Sequence, residues 1–140
     1  MSINYYLAPG TRENWKISFA NGNVWGMPLN RRQWRTLRKG DVVFFYVMAP
    51  TKGVVGYGSI VATFRAEDPI FTEELLGVKK WPLRFNFQIL WPPSGEPFKE
   101  PKVRVAGLVE GSPLKKFHRL RPTTAEQLLD RCKAQLSPNQ

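Results

Sequence analysis

The stretch KGDVVFFYVMAPTKGVVGYGSIVATF, residues 39–64, decides the fold. Its first half holds an unbroken β-branched and aromatic run, VVFFYVM (42–48), of the kind found in strands covered on both faces. APTKG then supplies turn chemistry, and VVGYGSIVATF (54–64) returns as an antiparallel partner. Gly56 and Gly58 within the return strand predict a bulge, curvature or the close approach of another backbone.

Upstream of this hairpin, INYYL (3–7) reads as a first strand and TRENWKISFANG (11–22) as a short helix. Thr11 can cap that helix, Trp15 and Phe19 lie four apart on one face, and Gly22 ends it. GNVWGMP (22–28) is too punctuated by Gly, Asn and Pro for the middle of a regular element. Trp25 is therefore expected on a turn, either capping a core or facing outward to stack. RRQWRTL (31–37) reads as a second short helix, with Trp34 and Leu37 three apart.

Downstream, TEELLG (72–77) is one or two helical turns, and LRFNFQIL (83–90) alternates cleanly. Leu83, Phe85, Phe87 and Ile89 share one face of that half-buried strand, and Arg84, Asn86 and Gln88 share the other. WPPSGEPFKEPK (91–102) carries four prolines and is a surface loop, with Trp91 covering a sheet edge. VRVAGLV (103–109) fits a strand or a short helix. TTAE (123–126) is a capping box, followed by the apolar stripe Ala125, Leu128, Leu129, Cys132 and Leu136. This order predicts an α+β fold in a single domain over residues 1–140. Its sheet is mixed but mostly antiparallel, curved into a partial barrel and flanked by short helices and a C-terminal helix.

The charge points to function. Lys and Arg number 21 against 11 Asp and Glu, a net charge of +10, and aromatics make up 13% of residues. A folded domain this basic reads as a binder of polyanions. The cations cluster: RRQWRTLRK (31–39) carries five and no acid, and KKFHRLR (115–121) forms a second group. Chemistry is sparse by comparison. His118 is the single histidine and Cys132 the single cysteine, so no catalytic, metal or cofactor site is expected, and no nucleotide-binding or CxxC motif occurs. The lone cysteine, the lack of a signal peptide and the lack of a long apolar run predict a cytoplasmic protein without membrane contact.

Four segments in order, TRENWKISFANGNVWGMP, RTLRKGDVVFFYV, GVVGYGSIVA and KKWPLRFNFQI, together resemble the EVE domain. That family belongs to the PUA-like group and is structurally close to the YTH readers of methylated adenine. The resemblance runs over about residues 3–91, and HRLRPTTAEQLLD (118–130) fits the family's closing helix, whereas 92–117 is not distinctive. It implies a PUA-like fold that accepts a nucleotide flipped into an aromatic cage. Trp25 and Trp81 match the cage tryptophans, and Asn14 matches a side chain that hydrogen-bonds the base edge in YTH relatives. Gly26 stands where relatives offer a backbone carbonyl, often from a serine in YTH proteins, and Tyr46 fits a pocket wall. Packing remains the alternative for both tryptophans, and local helix capping the alternative for Asn14.

Stacking contributes roughly 1–3 kcal/mol per base, comparable with the cost of unstacking it. Arg31, Arg32 and Arg35 follow Trp25, and Lys79, Lys80 and Arg84 flank Trp81. These cations are expected on the phosphates, which position a strand without specifying it. The expected function is a noncatalytic, monomeric reader of a modified, methylated base in RNA or DNA. The alternatives are a general RNA-binding PUA-like module acting with tRNA or rRNA, and a nucleic-acid enzyme using His118.

Overall fold

The computed structural model describes residues 2–136 and builds one six-stranded sheet. In chain order the elements are β1 (Tyr5–Gly10), α1 (Arg12–Ala20), β2 (Val24–Met27), a 3₁₀ turn (Arg32–Thr36), β3 (Val42–Val47) and β4 (Gly53–Arg65). There follow α2 (Thr72–Leu75), β5 (Leu83–Trp91), a second 3₁₀ turn (Ser112–Lys115), β6 (His118–Arg119) and α3 (Pro122–Leu136). The strand order is β2-β5-β4-β3-β1-β6, with β1 and β3 parallel and every other pairing antiparallel. The sheet curls into a half-barrel.

β3 explains why both faces of the sheet are covered. All six of its residues are buried, and they divide strictly by parity. Val43, Phe45 and Val47 join a core with Tyr6, Trp15, Phe85 and Phe87, on the side where α1 packs. Val42, Phe44 and Tyr46 join a second core with Leu7, Val54 and the α3 residues Ala125, Leu128 and Cys132. Asp41 fixes the start of β3. Its carboxylate accepts the N–H groups of Asn4 at 3.0 Å and Arg38 at 2.9 Å, tying the preceding turn to the start of β1.

The curvature has two sources. Register shifts fall at Phe45/Tyr46 in the β3–β4 pairing and at Tyr57/Gly58 and Ile60/Ala62 in the β4–β5 pairing. Gly56 and Gly58 also let β5 pass very close. A Cβ would stand 2.5 Å from the Trp91 carbonyl oxygen at Gly56, and 2.6 Å from that of Gln88 at Gly58.

Several expectations change on the structure. Trp25 lies on a short edge strand, β2, paired with β5, because Gly22 and Asn23 absorb the turn in left-handed conformations just before it. The short helix expected over 31–37 is a 3₁₀ helix, Arg32–Thr36. The 103–109 segment makes only the bridge Val54↔Val103 before turning. Trp91 covers no edge. It is buried in the second core, parallel to the Tyr57 ring at 6.3 Å. α3 starts at Pro122, one residue before the expected Thr123 cap, as suits a proline whose missing N–H costs nothing in a first turn. Ala125, Leu128 and Cys132 lie buried beneath the helix and Leu129 is half-buried, while the Leu136 side chain lies outside the described residues. Among the described residues, no helix is long and apolar enough to cross a membrane.

Two predictions follow from this packing. Gly58→Ala forces a methyl against the β5 backbone and is expected to lower stability by about 1–3 kcal/mol in urea titration. Burial pushes the Cys132 thiol up to about 12 from its ordinary 9.0. The unfolded thiol therefore ionises first, and stability is expected to fall as pH rises from 9 towards 12, by at most about 1.4 kcal/mol per pH unit. Cys132→Ala should remove that component. Tyr46, raised by burial alone, is the same in both proteins, whereas Tyr57 is raised by burial and then by the Cys132 charge, so the difference between the two stability profiles reports the thiol together with its coupling to Tyr57.

Candidate functional site

At the C-terminal end of β1 the chain turns directly into α1, and a cavity of about 220 Å³ opens there. Thr11 caps the helix by accepting the Asn14 N–H at 3.1 Å. This brings Asn14 to the cavity wall, opposite residues that arrive from β2, α2 and the approach to β5. Trp25, Gly26, Phe71, Glu73 and Trp81 line it, with Arg31, Lys115 and Lys116 at the same opening.

Five of the site residues expected from the sequence therefore meet in one place: Asn14, Trp25, Gly26, Arg31 and Trp81. Trp25 serves the core and the cavity together. One ring face lies against Trp15 at 3.8 Å between centroids and 6° between planes, which leaves the rest of the indole to form wall. Only 7% of the residue is exposed. Gly10 makes room for it, since a Cβ there would stand 2.3 Å from the Trp25 ring. Trp15 is held in turn by its indole N–H, which donates to the Tyr46 carbonyl at 3.0 Å.

Phe71 was not legible in the sequence and proves central. Its ring meets Trp25 edge-on at 5.3 Å and Trp81 edge-on at 5.6 Å, so it joins the two tryptophans into one apolar wall. Gly26 faces the Trp81 backbone so closely that a Cβ would stand 3.0 Å from the Trp81 carbonyl oxygen and 3.0 Å from its Cβ. A side chain at position 26 would require Trp81 to give way by a few tenths of an ångström.

Asn14 carries the polar feature of the cavity. Its side-chain N–H donates to Glu73 Oε1 at 2.9 Å. A carboxylate only accepts, so this contact fixes which end of the amide is nitrogen. The opposite end, Oδ1, is buried without a hydrogen-bond partner among the described residues. An unpaired buried acceptor is costly, and a donor supplied by a ligand relieves that cost.

Two expected residues lie elsewhere. The Tyr46 side chain is buried in the second core because the parity of β3 points it away from α1, so it is no wall of this cavity. Arg84 is 1% exposed and contacts no solvent face. Its guanidinium pairs with Asp68 at 2.9 Å and Glu74 at 3.2 Å, and its Nε donates to the Trp81 carbonyl at 3.2 Å. Glu74 also accepts the N–H groups of Ile70, Phe71 and Trp81 at 3.2, 3.3 and 3.0 Å. This buried pair holds the backbone of Phe71 and Trp81 in position, which is a different task from the expected phosphate contact.

The remaining expected cations are accessible. Arg32, Arg35, Lys79 and Lys80 are exposed and Arg31 is half-buried. Arg31 belongs to the cavity and to two adjoining open clefts, one shared with Lys116 and His118 and the other with Arg32 and Arg35. The two basic clusters of the sequence thus converge on one side of the opening. Among the described residues, no three His, Cys, Asp or Glu side chains gather to hold a metal.

Glu74→Ala strands the Arg84 charge beside an Asp68 side chain that is 70% exposed. Breaking one partner of such a buried pair is expected to cost about 3–5 kcal/mol in chemical denaturation, whereas Lys79→Gln on the open surface should stay within about 0.5 kcal/mol.

No family model matches the chain, and no curated protein sequence matches it. Solved structures share its fold. The Mmi1 YTH domain, determined in complex with RNA, superposes with a TM-score of 0.63 at 10% identity, covering 94% of this chain and 78% of that one. The Toxoplasma CPSF4 YTH domain gives 0.59 at 16% identity, covering 95% and 87%. ASCH from Zymomonas mobilis gives 0.60 at 12% identity, covering 90% and 94%. YTH and ASCH domains are PUA-like, and the curled half-barrel with its C-terminal helix is that fold.

Proposed function

We propose that this protein is a noncatalytic nucleic-acid-binding module that accepts a modified, methylated base into the cavity between β1, α1, β2 and α2. One observation carries the reading. An apolar wall of Trp25, Phe71 and Trp81 meets a buried Asn14 oxygen that lacks a partner among the described residues, inside an opening rimmed by Arg31, Lys115 and Lys116. At about 220 Å³ the space is smaller than the cavities that enclose drug-sized ligands. It suits one ring system with the sugar and phosphates left outside. Trp81, half-buried at the opening, supplies the stacking surface, and the Asn14 oxygen accepts a hydrogen from the base edge. The phosphates then run along the clefts shared by Arg31, Arg32, Arg35, Lys116 and His118.

The resemblance of the sequence to EVE domains supports this assignment, as does a fold shared with a YTH domain determined in complex with RNA. A second reading, an RNA-binding module without selectivity for modification, is favoured by the deep seating of Trp25, one face of which is already covered by Trp15.

A panel of singly modified and unmodified RNA and DNA oligomers, titrated at two salt concentrations, separates the two readings. Selective binding is expected for the intact protein. Trp81→Ala should reduce affinity for the preferred modified strand by about 1–3 kcal/mol, roughly 5- to 150-fold, and abolish the preference. Equal binding of modified and unmodified strands by the intact protein overturns the reader assignment. Arg32→Gln and Lys116→Gln should weaken all strands alike and each lower the salt slope by about one.

A further inference from the structure

The turn that leaves α2 exposes an unusual amount of apolar surface. Leu75, Leu76 and Val78 are 64%, 71% and 67% exposed, three large hydrophobic residues within four positions. Gly77 lies between them in a left-handed conformation, at φ +74°, with open space where a side chain would be. The backbone beneath is fully tied down. The N–H groups of Leu75, Leu76, Gly77, Val78 and Lys79 donate in succession to the carbonyls of Phe71, Thr72, Glu74, Glu73 and Glu73, at 2.8–3.2 Å. Five consecutive bonded amides make a firm knob, not a loose loop.

The position of this knob gives it a meaning. The same segment begins with Phe71 and Glu73 and ends at Trp81, all three on the cavity wall, and the Glu74–Arg84 pair clamps it at both ends. Lys79 and Lys80, both exposed, follow directly. An apolar projection beside a base-sized cavity, with two cations at its foot, matches the surroundings of a base pulled from a duplex. Extrusion leaves an apolar gap between stacked neighbours, with phosphates on either side.

We propose that Leu76 and Val78 form a wedge that fills this gap, and that the partner is a duplex from which the base is extruded. The proposal rests on the reading that a base enters the cavity. A single strand has no such gap, so the wedge contributes only when the target is paired. Fast association comes from the cations, and the wedge acts on the lifetime of the extruded state.

The double variant Leu76→Ser/Val78→Ser tests this. Both side chains are exposed, so the fold is expected to persist, as circular dichroism and thermal melting would verify. Fluorescence anisotropy is measured with one oligomer in modified and unmodified form, each alone and annealed to its complement. The expected result is a loss of roughly tenfold or more on the duplex, with single-strand affinity unchanged within about twofold. Unchanged duplex affinity overturns the wedge and leaves the apolar knob to a protein partner. An equal loss on both forms also overturns it, since the knob would then touch any strand. If the intact protein shows no preference for the modified single strand, the cavity reading fails first and the wedge falls with it.

Discussion

The pair formed by Arg84 and Glu74 organises the functional end of this molecule. Its charges are almost wholly out of water, with side-chain exposures of 1% and 5%, and it persists because nearly every hydrogen-bonding position on both groups is used. The guanidinium reaches Asp68, Glu74 and the Trp81 carbonyl, while the carboxylate gathers three backbone N–H groups from the start of α2 and the approach to β5. A buried ion pair is a poor source of net stability compared with hydrophobic packing. Its contribution here is geometric. It fixes two aromatic residues, Phe71 and Trp81, on an irregular segment that no sheet ladder holds.

The second constraint is the stack of Trp15 on Trp25. It links the interior of α1 to an edge strand and turns a core residue into cavity wall. The structure thereby removes a choice that the sequence posed. Trp25 was readable either as packing or as a binding surface, and it is mainly packing: stacked on Trp15 and met edge-on by Phe71, it also contributes to the cavity lining.

Much of the fold was legible because it follows from local patterns. The unbroken 42–48 run announced a strand covered on both sides, the 54–64 return announced its antiparallel partner, and Gly56 and Gly58 marked where β5 crowds in. The misreadings share one cause: tertiary contacts overruled local composition. GNVWGMP looked too broken for a strand, yet pairing with β5 makes it one. Arg84 looked like part of a polar outer face, yet Asp68 and Glu74 cover it, and acids sixteen and ten positions away in sequence give no periodic signal. Phe71 stayed hidden because a lone aromatic before a short helix has no pattern to distinguish it. Asn14 and Trp81 were reached through family resemblance, whereas the orphaned oxygen on Asn14 depends on Glu73, fifty-nine residues away, and shows only in three dimensions.

The place of β1 in the sheet bears on how the chain assembles as it is made. This strand forms early in the sequence, but it lies between β3 and β6, and its outer partner is supplied by residues 118 and 119. Until those residues leave the ribosome, one side of β1 presents unsatisfied amides and carbonyls, and α3 cannot close over Leu7 and Phe44. Such long-range pairing is slow to form and leaves a nascent edge open to misassembly. Completion of this domain is therefore a late, cooperative event, in which the final twenty or so described residues act as the clasp for the first ten.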